Sequence, residues 1–246
     1  MLSTNGDHEA PGNQLLSSLS PAEWLRLRPR TQSVYLSAGQ VLHEAGAYLD
    51  QIYFPTTAVI SCLTTMQDGA IAESTLVGND GLIGIFLLLG SNSGPQSAIV
   101  QIGGNALKIP ARLVQDEFAK GGQLQRVFLR YTQGLLTTIS QVAACNCLHT
   151  VEQRLSRWLL LCHDRVAGAE ILMTHEYIAH ALGGRRETVT LAAGHLQEAG
   201  LIHYARGHIT IADRSGLEKM ACECYRTVED ELTRLLDTRD LATHLG

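Results

Sequence analysis

Residues 174–211 constrain the fold of this chain more than any other segment. Thr174 precedes a run with helical apolar spacing, and Gly183-Gly184 then ends that first helix in a tight turn. A second helix is predicted from about Arg185 to Ala199, because its apolar residues recur at alternating spacings of four and three positions. Two short β-prone runs joined by Arg206-Gly207 follow. Helix, glycine turn, helix and β-hairpin in this order predict a winged helix-turn-helix.

The start of the second helix presents polar side chains outside its apolar stripe. An arginine there can form two hydrogen bonds with guanine, and a glutamate can accept one from cytosine. The predicted contacts with bases are made by Arg186, Glu187, Thr190 and Leu191. Because helix N-termini, hydroxyls and arginines favour phosphate, the predicted phosphate contacts are made by Arg185, Thr188 and Arg206. The alternative interpretation is a helical hairpin with a solvent-exposed Arg-Arg-Glu face.

Three stretches resemble the Crp/Fnr superfamily of transcription regulators. They are Val151–Leu155, the recognition-helix start Arg186-Glu187-Thr188-Val189, and Leu196–Ile202 with the following Arg206-Gly207. The resemblance covers the order of parts from about residue 14 to 225 and is specific from 151 to 212. It implies a homodimer that binds a two-fold-symmetric promoter site in double-stranded DNA and adjusts transcription. RNA polymerase is then an expected partner.

Two positions depart from the pattern of that superfamily. Arg185 stands where the family usually has Ser or Thr as the N-cap of the recognition helix. Leu191 stands where the family often has a base-reading arginine. The second departure implies a different or shorter set of base contacts, in which a leucine can touch a thymine methyl group.

Short β-prone runs separated by Gly, Asp, Asn and Pro fill the first half of the chain. The predicted strands are Val34–Leu36, Gln51–Phe54, Ala58–Leu63, Ile71–Val77, Leu82–Phe86, Ala98–Ile102 and Ala106–Ile109. Their even spacing predicts an all-β sandwich, roll or barrel. The resemblance implies a β-roll of the cyclic-nucleotide-binding type, a jelly roll, as a sensor domain over residues 14–122. The predicted fold class of the whole chain is therefore α+β.

A long helix is predicted from Gln123 to Leu148, with a heptad seam along one side. The seam residues are Leu124, Phe128, Tyr131, Leu135, Thr138, Val142, Cys145 and His149. We expect the same seam of a second copy to cover it, which makes residues 123–149 a dimerisation helix. Packing on the chain's own sensor domain is the alternative. A DNA-binding domain at 150–222 and a helical tail at 223–246 complete the predicted organisation.

The predicted roll lacks the residues with which the family holds a cyclic nucleotide. Members that bind one supply a Gly-Glu pair for the ribose and a following arginine for the phosphate. Here Ile85 follows Gly84, Gln96 stands near the arginine position, and no Arg or Lys occurs between residues 34 and 107. Burying a phosphate without a cation is costly. We therefore expect the roll not to bind cyclic nucleotide in the usual way, and we predict no cofactor.

The six cysteines suggest no paired framework, so we expect free thiols. Side chains two residues apart on a helix point about 200° apart, so Cys145 and Cys147 cannot bind one metal ion together. The same geometry excludes Cys222 with Cys224 if that segment is helical. Cys145 and His149 share a helix face, but this face is the seam, and no metal is predicted. The alternative is a redox- or metal-responsive regulator using Cys145 and His149 or another thiol.

Net charge, hydrophobicity and the absence of catalytic motifs limit the other classes of protein that this chain could belong to. The net charge of −5 does not indicate nucleic-acid binding, so that prediction rests on local arrangement. No apolar run approaches the about 18 residues of a membrane span, and residues 1–13 lack a signal-peptide core. We expect a disordered tail there and a cytoplasmic protein without a membrane partner. An enzyme would need a pair such as Cys62 with His43, but neither lies in a nucleophile motif. A module that only dimerises is the third class.

Overall fold

The computed structural model describes residues 11–166 and 170–237. Two short helices open the described chain, α1 over Gln14–Ser17 and α2 over Pro21–Leu27. The capping box that the sequence predicts at α2 is present, since Ser20 and Glu23 each accept a hydrogen bond from the other's backbone N–H. This reciprocal pairing satisfies two of the backbone donors at the helix start.

The predicted disordered tail is too long by at least one residue. Asn13 is fully buried, caps α1 and donates to two backbone carbonyls of the roll. A buried amide with these partners is a fixed part of the fold. Residues 1–10 of the predicted tail lie outside the described residues.

Seven strands form the roll as two antiparallel sheets. They are β1 (Gln32–Leu36), β2 (Val41–His43), β3 (Gln51–Pro55), β4 (Val59–Thr65), β5 (Ile71–Val77), β6 (Ser97–Ile102) and β7 (Gly104–Pro110). One sheet has the order β1-β7-β3 and the other the order β2-β6-β4-β5. Leu36 and Ala106 of the first sheet share an apolar core with Ile60 and Val100 of the second, as expected for stacked sheets.

Two details of the roll differ from the prediction. The predicted strand at 82–86 is wrong, because Ile83 makes only a single bridge with Tyr53 and a 3-10 helix follows at Ile85–Leu88. Gly84 permits this change of direction, since its φ of 103° is a left-handed value that favours glycine. The sequence analysis also missed β2, which is too short to show a period.

Two helices follow the roll, α3 over Ala111–Ala119 and the long α4 over Gln123–Leu148. Leu124 and Phe128 of α4 are fully buried in a core that α4 shares with the roll and with α1 and α2. The Tyr131 hydroxyl lies 3.3 Å from both the backbone nitrogen and the carbonyl oxygen of Leu82. The first half of α4 is therefore fixed to its own sensor roll.

The following elements build the winged helix-turn-helix that the sequence predicts. They are α5 (Val151–Arg165), β8 (Glu170–Leu172), α6 (His175–Ala181), α7 (Arg186–Glu198), β9 (Ile202–Ala205), β10 (His208–Ile211) and α8 (Arg214–Met220). The three strands form a sheet in the order β8-β10-β9. Trp158 of α5 and Leu196 of α7 lie in the core beneath it. The predicted α+β class, with a roll, a long helix and a winged helix-turn-helix, is confirmed.

The last described helix, α9 over Cys224–Leu236, packs along α4. The two helices approach closely at Gly134, where an added Cβ would lie 2.6 Å from Cδ2 of Leu232 and would force that side chain to move. The predicted helical tail is thus described as far as residue 237. Within the described ranges, no helix combines the length and apolar character needed to cross a membrane.

Candidate nucleic-acid interface

An apolar stripe holds α7 against the domain core. The predicted stripe residues Val189, Ala193 and Leu196 are at most 3% exposed. They face α5 and α6, which both contact α7. Gly183, with a φ of 59°, turns the chain between α6 and α7 as the predicted glycine turn requires. The opposite face of α7 therefore points toward solvent.

The first turn of α7 exposes four of the side chains that were predicted to contact DNA. They are Arg185, Arg186, Glu187 and Thr188. Arg185 is the N-cap in an extended conformation, and within the described chain its side chain does not bond the first turn. The backbone N–H groups of that turn can therefore still bind an anion. Together with two guanidinium groups, they form an arrangement suited to a phosphate backbone.

Thr190 is already engaged by its neighbours. Its hydroxyl donates to the carbonyl of Arg186 at 2.9 Å and lies 3.0 Å from Nδ1 of His175. The His175 ring in turn stacks on Tyr204 of β9, with ring centroids 4.0 Å apart. A base contact by Thr190 would therefore use its methyl group. Sequence analysis missed His175 and Tyr204, which link α6, α7 and the wing and carry no motif.

Leu191 lies one turn beyond Glu187 on the open face of α7 and is 65% exposed. The exposed face of α7 therefore has polar side chains at its start and an apolar side chain one turn later. This placement is compatible with the predicted contact with a thymine methyl group.

The wing ends in a two-residue turn of Arg206 and Gly207. Both residues have left-handed φ values, 52° and 84°, as in the tight turns that join antiparallel strands. Arg206 is exposed at this tip. The backbone N–H of Tyr204 donates to Oε1 of Gln197 at 2.7 Å, which ties the wing to α7. Arg206, the residue predicted to contact a phosphate, therefore lies in a wing that is bonded to α7.

Residues 153–220 match the family model of the Crp-like helix-turn-helix domain. This chain carries a Crp-like helix-turn-helix domain. The resemblance drawn from residues 151–212 is thereby confirmed. No curated protein matches the chain significantly.

Solved structures extend the likeness to the sensor roll. A Crp/Fnr-family protein from Eubacterium rectale superimposes with a TM-score of 0.67 at 17% identity, covering 84% of this chain and 96% of its own. FixK2 from Bradyrhizobium japonicum gives 0.67 at 17% identity, with 78% and 98% covered. The c-di-GMP responsive global regulator CLP from Xanthomonas campestris gives 0.63 at 14%, with 79% and 100% covered. At these identities the likeness shows a shared fold.

Half of the predicted dimer seam on α4 is buried within one chain, so this part of the prediction is wrong. The buried seam residues are Leu124, Phe128, Tyr131 and Cys145. The first three pack with the roll, and Cys145 packs with two cysteines near α9. The other seam residues, half-buried, are Leu135, Thr138, Val142 and His149. A heptad stripe looks the same whether a second copy or the chain itself covers it.

A different stripe of α4 is exposed, and we call it the outer face. Its residues are Arg126, Leu129, Gln133, Leu136, Ser140, Ala143 and Cys147. They alternate at spacings of three and four, which is the heptad pattern of a coiled coil. Leu129 and Leu136 are 49% and 62% exposed. The outer face is therefore the part of α4 that a second copy can reach.

A small cavity lies between the roll and α4, at the place of the predicted sensor site. Its volume is about 120 Å³, well below the roughly 300 Å³ of a typical small-molecule pocket. The lining includes Phe86, Gln96 and Leu135, and no Lys or Arg among the residues that the structure describes. Nε2 of Gln96 donates to the Ser74 hydroxyl at 2.6 Å. The site thus offers neutral groups only.

His43 and Cys62, the pair weighed as an enzyme site, both line this cavity. Burial raises the pKa of the Cys62 thiol to about 12. At neutral pH the thiol is therefore protonated, and the thiolate that nucleophilic chemistry requires is scarce. Burial also lowers the pKa of His43. The surroundings of the pair do not favour catalysis.

A buried polar cluster joins the Crp-like domain to the roll. Glu73 of β5 accepts hydrogen bonds from Nε1 of Trp158 at 2.9 Å and from the Ser61 hydroxyl at 2.5 Å. The Tyr177 hydroxyl of α6 donates to Ser61 at 2.8 Å. Burial raises the pKa of Glu73 to about 7. The contact between the two domains therefore contains a carboxyl group that titrates near neutrality.

A group of possible metal ligands lies where α4, α8 and α9 meet. The group comprises Cys145, His149, Cys222 and Cys224. The exclusion of Cys222 with Cys224 required a helical segment, and this condition is not met, because α8 ends at Met220 and α9 begins at Cys224. A hydrogen bond with Cys222 lowers the pKa of the Cys145 thiol. These are the residues among those described that could hold a metal.

Proposed function

We propose that this Crp-like protein is a sequence-specific transcription regulator that binds an inverted-repeat promoter site as a homodimer. The observation that carries the proposal is the exposed first turn of α7, where Arg185, Arg186, Glu187 and Thr188 project beside the wing. RNA polymerase is the further partner that such a role requires, and the cytoplasm is where the complex would act.

The exposed side chains form two groups, one that would contact bases and one that would contact phosphates. Arg186 and Glu187 would read base edges in the major groove, and Leu191 would contact a thymine methyl group. Arg185 and Thr188 at the helix start, with Arg206 in the wing, would hold phosphates and set the register. Thr190 would support this face through its bond with His175.

The outer face of α4 would form the dimer interface. Leu129, Leu136 and Ala143 recur every seven residues, so two copies of α4 can pack along a two-fold axis. Such an axis would direct the two α7 helices to successive major grooves, about 34 Å apart. The two half-sites of the DNA would then form an inverted repeat.

The roll would sense a neutral or apolar signal, or none. Its cavity is small and is lined by neutral side chains such as Gln96 and Leu135. A cyclic nucleotide would bring an anionic phosphate that needs a cation and oriented donors. Isothermal titration calorimetry with cyclic AMP and cyclic GMP should therefore show no micromolar binding.

A gel shift with upstream promoter DNA separates this proposal from its alternatives. A regulator retards the DNA, whereas an enzyme or a module that only dimerises does not. The control is a double Arg185→Ala and Arg186→Ala variant, which should stay folded because both side chains are exposed. Retardation by the natural protein and its loss in this variant are the expected results. Equal retardation by both proteins would contradict the assignment of α7 as the DNA-binding helix.

A further inference from the structure

Four side chains converge at the junction of α4, α8 and α9. Cys145 lies near the end of α4, and His149 is the C-cap of that helix. Cys222 lies between α8 and α9, and Cys224 is the first residue of α9. Their ligand atoms all lie within 4.8 Å of one another. Sγ of Cys145 is 3.5 Å from Sγ of Cys222, and Sγ of Cys224 is 3.5 Å from Nδ1 of His149.

We propose that these residues form a metal site that holds one zinc ion per chain. Three thiolates and one imidazole are a common ligand set of structural zinc. With Zn–S bonds of about 2.3 Å, tetrahedral geometry places sulfur ligands about 3.8 Å apart. The four ligand atoms lie up to 4.8 Å apart, so small side-chain movements would bring all four to bonding distance from one ion. An iron–sulfur cluster would need its cysteines farther apart, because sulfide and several irons lie between them.

Burial makes this a closed site. Cys145 and Cys224 are fully buried and Cys222 is nearly so. All four positions of a tetrahedral ion would then be filled by protein atoms, which is typical of structural rather than catalytic zinc. A zinc ion here would therefore have a structural role, because it would link the end of α4 to the start of α9.

The surroundings of the four residues suit a bound ion. Nε2 of His149 lies 3.3 Å from a carboxylate oxygen of Glu223, which orients the ring so that Nδ1 faces the cysteines. Nε2 of Gln141 donates to Sγ of Cys224 at 3.1 Å. Arg157 is 5% exposed, and its Nε has no hydrogen-bond partner among the described residues. A buried guanidinium near Cys145 can balance the single negative charge of zinc with three thiolates.

The site lies where the Crp-like domain begins and where it ends. His149 ends the helix that leaves the sensor, and α5 of the Crp-like domain begins two residues later at Val151. Cys222 and Cys224 follow the last helix of that domain. A bound ion would thus fasten both ends of the Crp-like domain to one point. This role is additional to DNA contact by α7 and has its own readout.

Cobalt titration of the reduced, metal-free full-length protein tests the proposal. We expect one Co²⁺ per chain, with the visible absorption of tetrahedral cobalt bound to thiolates, and its displacement by Zn²⁺. Cys145→Ser, Cys224→Ser and His149→Ala should each weaken binding by about tenfold or more. The matched control is Cys147→Ser, because Cys147 lies on the same helix but outside the cluster of four ligands. It should keep both the stoichiometry and the spectrum.

Thiol alkylation of the natural protein gives a second measurement that does not depend on variants folding. Zn²⁺ should protect Cys145, Cys222 and Cys224 from iodoacetamide and should not change the reactivity of Cys147, as read by peptide mass mapping. The proposal is overturned by a reduced protein that gives no cobalt spectrum. An identical alkylation pattern with and without zinc, or loss of binding in Cys147→Ser, overturns it as well. None of these outcomes depends on whether the protein binds DNA.

Discussion

Arg185 and Arg186 are adjacent, yet the start of α7 gives them different surroundings. Arg185 is the N-cap in extended conformation, whereas Arg186 is the first residue of the helix. A side chain at the cap lies near the phosphate path, and one in the first helical turn can enter the groove. If Arg186 reads a base and Arg185 holds a phosphate, as proposed, single substitutions will separate the two roles.

We predict that Arg186→Ala weakens binding to the cognate site by about 1–3 kcal/mol and relaxes one base position, because a paired contact with a base is lost. Arg185→Ala should weaken binding to all sequences alike and reduce the salt slope by about one. Fluorescence anisotropy with cognate and scrambled duplexes at several salt concentrations measures both effects.

Arg226→Ala is the control for this pair. Arg226 is exposed on α9, pairs with Glu218 and lies outside the proposed interface, so affinity should not change. If Arg186→Ala lost equal affinity for cognate and scrambled duplexes, Arg186 would be a phosphate contact and the assignment of base reading to it would be wrong.

At the scale of elements, Glu73 is the buried carboxyl group in the contact between the roll and the Crp-like domain. Because burial raises the pKa of this carboxyl from 4.5 to about 7, the folded chain binds its proton more tightly than the unfolded chain. The stability that this group contributes is therefore present below the unfolded value and is lost as the pH rises toward about 7. The docking of α5 and α6 on the roll should weaken in the same range.

We predict that Glu73→Gln reduces the fall in Tm between about pH 5 and pH 8, since glutamine cannot ionise but can still accept a hydrogen bond from Trp158. Thermal unfolding of both proteins at the two pH values measures the difference. A variant with the same pH dependence as the natural protein would show that Glu73 does not titrate in this range.

Glu117→Gln is the control with the opposite sign. The bond from Arg26 lowers the pKa of Glu117 to about 2, so its contribution is present above the ordinary value and is lost only as the pH falls toward about 2. This substitution should lower Tm at both pH values by similar amounts. It should leave the slope between them unchanged.

The elements also show what sequence reasoning could reach. The stripe of α7 and the turn at Gly183 follow from local periodicity and backbone conformation, and both were predictable. The sequence could not predict what packs against α4. Apolar residues at 124, 128 and 131 are equally compatible with contact to the roll and with contact to a second copy. The pairing of Cys145 with Cys222 joins residues 77 positions apart, and it depends on where α8 ends. Single-sequence periodicity carries no such long-range information.

At the scale of the whole molecule, one helix joins the roll to the Crp-like domain and carries the outer face. The inner side of α4 packs on the roll, and its end meets the Crp-like domain. Val59 and Leu76 of the roll belong to the same apolar core as Trp158 and Leu196. Movement of the Crp-like domain would therefore break a continuous core. In the proposed dimer, the orientation that this core imposes would determine whether the two α7 helices reach successive grooves.

We predict that Leu136→Asp abolishes the dimer, because it places a charge in the centre of the proposed interface without disturbing the core of one chain. Sedimentation velocity at micromolar concentration measures the change from dimer to monomer. Leu25→Asp is the matched control, since Leu25 is equally exposed but lies on α2. A folded Leu136→Asp protein that stays dimeric would contradict the assignment of the outer face as the interface.

Selection of bound sequences from random duplex DNA by the full-length protein addresses DNA recognition and dimer symmetry together. We expect an enriched inverted repeat whose half-site centres lie about one helical turn apart, as two α7 helices related by a two-fold axis require. Arg186→Ala should relax the same position in both half-sites. Enrichment of a single half-site without its inverted copy, or no enrichment over the double Arg185→Ala and Arg186→Ala variant, would contradict the proposed symmetric regulator.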